Sequence, residues 1–388
     1  MVVPFNYSLR NLWTRKLTST LTAAGMGLVT FVFAAVLMLA EGLEKTLIDT
    51  GSPENVIVLR GSAETEVSSV IDRDSANIIC VQPEAAQDPG GDSLAAKETL
   101  VLVTLPKAGA GTPTNVVVRG VGSHSMALRP RLDIIEGRNI RRGSREVIAG
   151  RSAAKAIQNG SMGSVLNFSL SDWKIVGIFD SRGSAFDSEL WADSDQLMSA
   201  FRRNSFSVVI MRVPGKQAFS SLKKRLESDP RLSVQVQREI DFYRGQSEVM
   251  AKFIRILGMA MTVFFSIGAV LGAMVTMYTA VANRTREIGT LRALGFRRTG
   301  VLTAFLLESA LLGFVGGAAG VLAGSLLQLV KISTMNWETF SELAFGFALT
   351  PPIALYSMAF SVSMGLVGGL LPAWRAAHLE IVDALRES

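Results

Sequence analysis

Apolar positions in this chain gather into four long runs separated by polar stretches of very unequal length. The runs extend approximately from Leu17 to Ala40, Ile256 to Ala282, Val301 to Val330 and Pro352 to Leu371. A helix crossing about 30 Å of hydrocarbon needs about 20 mostly uncharged residues. Inside that hydrocarbon, backbone groups are satisfied only within the helix itself. The pattern therefore predicts four transmembrane helices, at 17–42, 251–283, 301–330 and 351–371.

Between 43 and 250 the chain turns polar. It contains turn-rich passages such as Gln82-Pro-Glu-Ala-Ala-Gln-Asp-Pro-Gly-Gly91 and short β-branched runs such as Val116-Val-Val118. This is the pattern of a soluble domain inserted after the first span. At about 200 residues it is long enough for its own core and divisible into two subdomains. A second polar segment, 331–350, reads as a short outer loop.

Orientation follows from the basic residues beside the spans, because cytoplasmic loops retain Lys and Arg. Arg10, Arg15 and Lys16 precede the first span. Arg284, Arg286, Arg292, Arg297 and Arg298 fill the 284–300 loop, and Arg375 and Arg386 follow the fourth span in the 372–388 tail. These ten basic residues face only Glu287, Glu380, Asp383 and Glu387 in the same three segments. Both termini and the 284–300 loop are thus expected in the cytoplasm. The inserted domain and the 331–350 segment, with its acids Glu338 and Glu342, are expected outside. The net charge of +6 is then a topology signal, and it removes the support for a nucleic-acid partner that the basic pI of 9.6 would lend.

Residues 1–16 place Phe5, Leu9, Leu12 and Trp13 at helical spacing among Arg10, Arg15 and Lys16, the pattern of an interfacial amphipathic helix on the inner surface. The first apolar run exceeds the usual ~7–15-residue core of a secretory signal and lacks a small-x-small cleavage site, so it is read as a retained span.

Composition removes several chemistries. Hydrophobic residues make up 48% and charged residues 19% of the chain, a membrane-protein average that conceals the polar insert. Cys80 is the only cysteine, so no intrachain disulfide can form. His124 and His378 are the only histidines, and the topology separates them. A zinc site or histidine-dependent triad outside would rest on His124 alone, and its Gly122-Ser-His-Ser125 setting reads as a loop. No catalytic residue and no metal site is assigned. No Gly-x-x-x-x-Gly-Lys-Ser/Thr phosphate loop is present, so this chain is expected to bind no cofactor and to draw its energy from a partner.

The 284–300 loop has what such a partner needs. Residues 285–294 favour a short helix, Ile288, Leu291 and Leu294 lie near one face, and Gly295 is suited to stop it. Within the third run, Glu308 is an acid set in apolar sequence, with arginines of the loop within reach as partners. Gly313, Gly317, Gly320 and Gly324 fall along one helical face and permit close helix approach.

The segment Arg284-Thr-Arg-Glu-Ile-Gly-Thr-Leu-Arg-Ala-Leu-Gly295 resembles the signature of MacB/FtsX-type permeases, the four-span membrane subunits of mechanotransmitting ABC transporters. Glu308-Ser-Ala-Leu-Leu-Gly313 is similar to that family's Glu-Ala-x-Leu motif early in the third span. Pro372-Ala-Trp-Arg-Ala-Ala-His-Leu-Glu-Ile-Val-Asp-Ala-Leu-Arg386 resembles its C-terminal ending, with Ile381 in place of the usual proline. In the insert, Ile135-Glu-Gly-Arg138, Glu146-Val-Ile-Ala-Gly-Arg-Ser-Ala-Ala154 and Trp173-Lys-Ile-Val-Gly-Ile-Phe179 are similar to the family's periplasmic core domain.

The resemblance implies an α-helical membrane protein with four transmembrane helices and an inserted α/β extracytoplasmic domain of the MacB-like periplasmic type, in the inner membrane. It implies a cytoplasmic ABC ATPase subunit that binds ATP and Mg, and a second permease chain, identical or not. It leaves open a periplasmic adaptor and an outer-membrane duct; membrane lipid surrounds the spans. Arg284, Arg286, Glu287, Ile288, Leu291, Arg292 and Leu294 are the expected ATPase-coupling residues, the apolar ones filling a groove in the ATPase. Glu308 and the glycines of the third span are expected to be structural, and Gly25, Gly27, Gly268 and Gly272 to supply surfaces for the second chain. Relatives with a fused nucleotide domain are much longer than 388 residues, so the ATPase is expected on a separate subunit. The function implied is ATP-driven export or extraction of a hydrophobic or lipidic substrate, peptide or drug. The alternative is FtsX-like signalling to a cell-wall hydrolase, for which the insert is large. An anchored enzyme is a third reading, opposed by the scarcity of His and Cys.

Overall fold

The computed structural model describes residues 16–109, 111–336 and 340–380. The expected amphipathic helix at 1–16 lies outside the described residues except for Lys16, and so does the end of the tail from Ile381 onward.

Among the described residues, four helices are long and apolar enough to cross a membrane: α1 (Lys16–Ile48), α6 (Glu239–Ala282), α8 (Arg298–Ser325, prolonged by a 3₁₀ turn to Leu329) and α9 (Pro351–Ala377). Two of them outlast their apolar runs. Glu41, Glu44 and Lys45 continue α1, and Asp241, Arg244 and Glu248 lie in the first turns of α6, because polar residues do not break a helix that leaves hydrocarbon. α1 stops only where Thr50-Gly-Ser-Pro53 supplies turn residues. Pro351 and Pro352 open α9, where a missing N–H costs no hydrogen bond.

Among the described residues the chain forms two compact units, one drawn from 16–42, 251–330 and 346–380 and the other from 43–250 and 331–345. In the second, the strands are β1 (Asn55–Arg60), β2 (Ile71–Asp72), β3 (Ala95–Pro106), β4 (Pro113–Val121), β5 (Asp133–Gly137), β6 (Glu146–Gly150), β7 (Val165–Phe168), β8 (Ser171–Asp180), β9 (Leu190–Asp193), β10 (Ser205–Phe206), β11 (Val208–Arg212) and β12 (Val234–Arg238). Ten of these make one sheet in the order β12-β1-β11-β3-β4-β9-β6-β8-β5, with β7 also on β8. β4–β9 and β6–β8 are parallel and the other pairs antiparallel.

The short helices α2 (Arg73–Cys80), α3 (Arg151–Ala156), α4 (Ser194–Ala200) and α5 (Lys216–Ser228) complete the domain. Asp72 caps α2 by accepting from the Ser75 N–H, and Asp193 caps α4 the same way. Two apolar clusters form where helices cover the sheet. One gathers β1, β11, α2 and α5 residues such as Val58, Ile79 and Leu222; the other gathers β6, β8, α3 and α4 residues such as Val147, Trp173 and Leu197. The expected division into two subdomains is thus a division of the helix-covered cores on one continuous sheet. A third cluster, with Val117, Val121, Phe179, Phe186 and Trp191, lies elsewhere in the unit.

The 331–350 segment is more than an outer loop. It contains a hairpin of β13 (Lys331–Met335) and β14 (Glu342–Gly346), and its described residues from 331 to 345 belong to the α/β unit. Glu342 holds it there, accepting from Lys107 Nζ at 2.7 Å, Thr114 Oγ1 at 2.6 Å and Ser333 Oγ at 2.5 Å.

In the helical unit, α8 is packed from two sides. A Cβ at Gly313 would lie 2.6 Å from the Ser361 carbonyl oxygen of α9, and a Cβ at Gly320 would lie 2.5 Å from the Gly27 carbonyl oxygen of α1. The glycine face of α8 therefore sits between two helices, Gly313 and Gly317 toward α9, Gly320 and Gly324 toward α1. Gly27 was expected to serve a second chain. Instead it meets Gly316 within this one, because two facing glycines let the backbones approach; Gly25, Gly268 and Gly272 face open space.

Candidate functional site: the loop helix and its anchor

The residues between α6 and α8 form the short helix α7 (Thr285–Ala293). Gly295, at φ +89°, ends it. The Phe296 N–H then bonds the Leu291 carbonyl and the Gly295 N–H bonds the Arg292 carbonyl, the two bonds of a Schellman stop.

The coupling residues expected from the sequence separate into two groups. Arg284, at the N-cap, turns inward and donates from Nη1 to Glu308 Oε2 of α8 at 2.9 Å and from Nη2 to Oε1 at 3.4 Å. Both side chains are buried. Ile288, 2% exposed, sits in a cluster with Ala23, Met277, Val301, Phe305 and Ala376 from the four long helices. This corrects the expectation that Ile288 fills a groove in an ATPase. Its face of α7 is consumed by the chain's own helices, since a nine-residue helix carrying few apolar groups holds its place only by burying them. Arg286, Glu287 and Leu294 face outward, Leu294 being 70% exposed, while Leu291 and Arg292 are half-buried. The single apolar face read from sequence is thus split: one end is an anchor and the other, Leu294, is open.

A second constellation, not singled out from the sequence, occupies the α/β unit. Arg119 of β4 is fully buried. It donates to Glu189 at 2.7 and 2.8 Å, to Glu66 at 2.8 and 3.1 Å and to Glu98 at 2.9 Å. Arg129 clamps Glu98 at 2.6 and 2.8 Å. Phe186 lies 5.0 Å from the Arg119 guanidinium and 4.8 Å from that of Arg129. Burial alone would push Glu98 up, but the two guanidinium groups win and hold it at about 2. The signal was present in the sequence: Arg119 shares a strand face with Val117 and Val121, and Glu98 with Ala96 and Leu100, faces that are otherwise apolar.

His124 pairs with Asp88, Nε2 to Oδ2 at 3.3 Å, and Asp92 brings a third donor within 4.8 Å. Oδ1 of Asp88 already accepts from the backbone N–H groups of Gly90 and Asp92, so the arrangement is that of a turn closed by a His–Asp contact. Cys80 is half-buried, and burial pushes its thiol up to about 11, leaving it unreactive.

Four long apolar helices carrying an inserted mixed α/β domain define a multi-pass membrane permease. The family of MacB-like periplasmic core domains matches residues 19–229, and that of the FtsX-like permease C-terminal domain matches residues 259–381. The chain belongs to the MacB/FtsX family of ABC transporter permeases, and its α/β unit is the periplasmic core domain. It is 30% identical over 205 residues to the macrolide export ATP-binding/permease protein MacB of Syntrophobacter fumaroxidans, covering 52% of this chain and 27% of that protein. It is 29% identical over 220 residues to the uncharacterized ABC transporter permease YknZ of Bacillus subtilis, covering 55% and 52%. The chain thus matches between about a quarter and about half of the length of these relatives. Among solved structures, the periplasmic region of MacB from Actinobacillus actinomycetemcomitans is similar at 11% identity and a TM-score of 0.39, covering 51% of this chain and 94% of that one.

Proposed function

We propose that this chain is the non-catalytic permease subunit of an ATP-driven exporter or extractor, passing the motion of a cytoplasmic ABC ATPase to the periplasmic domain. The carrying observation is the split face of α7. Arg284 and Ile288 fix the helix to the body of the permease, and the exposed Arg286 and Leu294 are offered to a partner. A peg must be rigid at its root and open at its tip to transmit force.

In this reading α7 and both termini face the cytoplasm, where the partner binds ATP and Mg. A second permease chain completes the assembly. α1 and α6 are the covalent route outward, each a helix that continues past its apolar run into the α/β unit. Substrates would be hydrophobic or lipidic molecules, peptides or drugs, the class to which the macrolides in the relatives' names belong.

The test is affinity purification of the full chain with Leu294→Asp, alone and with Arg286→Glu. Loss of a co-purifying ATPase with an unchanged melting profile supports the assignment. Undiminished recovery of the ATPase by the folded double variant removes it.

A further inference from the structure

Glu239 opens α6 and is fully buried. Its Oε2 accepts from the Ser52 backbone N–H and from Asn55 Nδ2, both at 2.9 Å. Ser52 and Asn55 follow directly on α1, so one carboxyl clasps the chain leaving the first long helix to the first residue of the second. The clasp is close: a Cβ on Gly51 would lie 2.6 Å from Cα of Ile240.

The neighbouring charges do not balance. Glu66, Glu98 and Glu189 each receive hydrogen bonds from a guanidinium group, and only two arginines, Arg119 and Arg129, supply these three carboxyls. Glu239 receives none; both of its donors are uncharged amides. Ionised, it would add a further carboxylate to this buried set, facing Glu98 of β3 as well as Arg129. Tyr243, one turn along α6, gives its hydroxyl proton to Glu66 and offers Glu239 nothing. The remaining charges on its cavity, Asp49 and Arg131, pair with each other at 3.3 Å.

Unpaired atoms point the same way. Glu239 and Asn55 are joined through Oε2 and Nδ2, and their other oxygens, Oε1 and Oδ1, have no hydrogen-bond partner among the described residues. A buried carboxylate oxygen with no donor is costly to leave charged; a proton on Oε1 makes it a donor instead. Arg129 Nε is likewise unpartnered, and a cavity of about 110 Å³ lined by Arg129, Glu239, Thr50, Ser181 and Ser184 gives water and protons access to the carboxyl.

We propose that Glu239 is a proton-binding site, and that losing its proton loosens the clasp between the end of α1 and the start of α6. Burial raises this carboxyl above its ordinary value despite Arg129. A group raised on folding contributes stability that is fully present below its unfolded value of about 4.3 and is lost as pH rises through the folded value. The proposal is independent of the ATPase reading, since it concerns residues of the periplasmic domain alone.

Hydrogen exchange of the Ser52–Asn55 segment, measured by mass spectrometry on the full chain in detergent micelles and corrected for intrinsic rates, tests it. In the wild type, protection should fall by up to about tenfold per pH unit as pH rises above about 4.3. Glu239→Gln, which mimics the neutral acid, should keep its protection throughout. A wild-type profile that is flat, or that loses protection toward acid, overturns the proposal without requiring the variant to fold. A folded Glu239→Gln that keeps the wild-type slope overturns it as well.

Discussion

Arg284, at the N-cap of the loop helix, and Glu308, inside the third long helix, share a buried ion pair at 2.9 Å across 24 residues of sequence. Together with Ile288, the pair fixes the loop helix to the long helices. Removing one partner leaves a desolvated charge, so Glu308→Ala should cost about 3–5 kcal/mol, and Arg284→Met with Glu308→Leu should recover most of that loss. Thermal unfolding of the three proteins in detergent measures both. Equal losses in the single and double variants would mean that the ion pair is not what holds the helix.

Ile288 and Leu294 should respond in opposite ways. Ile288→Asp puts a carboxylate among Ala23, Met277 and Phe305 and should lower the melting temperature of the permease by itself. Leu294→Asp changes an open surface and should leave stability within about 0.5 kcal/mol of the wild type. If the two variants melt alike, the face assigned to each residue is wrong.

Acid should strike the periplasmic domain through Glu98. Its carboxyl is depressed on folding to about 2, so its contribution is present above the unfolded value and is lost as pH falls through the folded one. Unfolding midpoints of the full chain measured between pH 5 and about pH 2 should therefore decline steeply, and Glu98→Gln should flatten that decline while starting from a lower stability at pH 7.

Trp173 is fully buried and stacks on Phe168 with ring centroids 5.1 Å apart. Trp173→Ala should cost about 3–5 kcal/mol, read from denaturant unfolding monitored at a probe in the α/β unit. A cost under about 1 kcal/mol would mean that the cavity collapses at little expense.

The four long helices and the inserted α/β domain were legible because apolar run length is a strong, local signal. The stop at Gly295 was legible for the same reason: one residue type answers one backbone need. Ile288 was misjudged because a short amphipathic helix has the same pattern whether its apolar face meets a partner or its own chain; only the position of Ala23 and Met277, distant in sequence, decides. The Arg119 network was hidden differently. Its members are scattered from Glu66 to Tyr243, and strand order, which brings them together, depends on parallel pairings that no local pattern encodes.

The hairpin held by Glu342 imposes an order on biosynthesis. Lys107 and Thr114 leave the ribosome long before their carboxylate does, and both α6 and α8 are made in between. The periplasmic domain can thus be sealed only after the chain has passed back through those two helices, which makes its last contacts a checkpoint on completed insertion. A fragment ending at Met250 would be a domain with that seal missing.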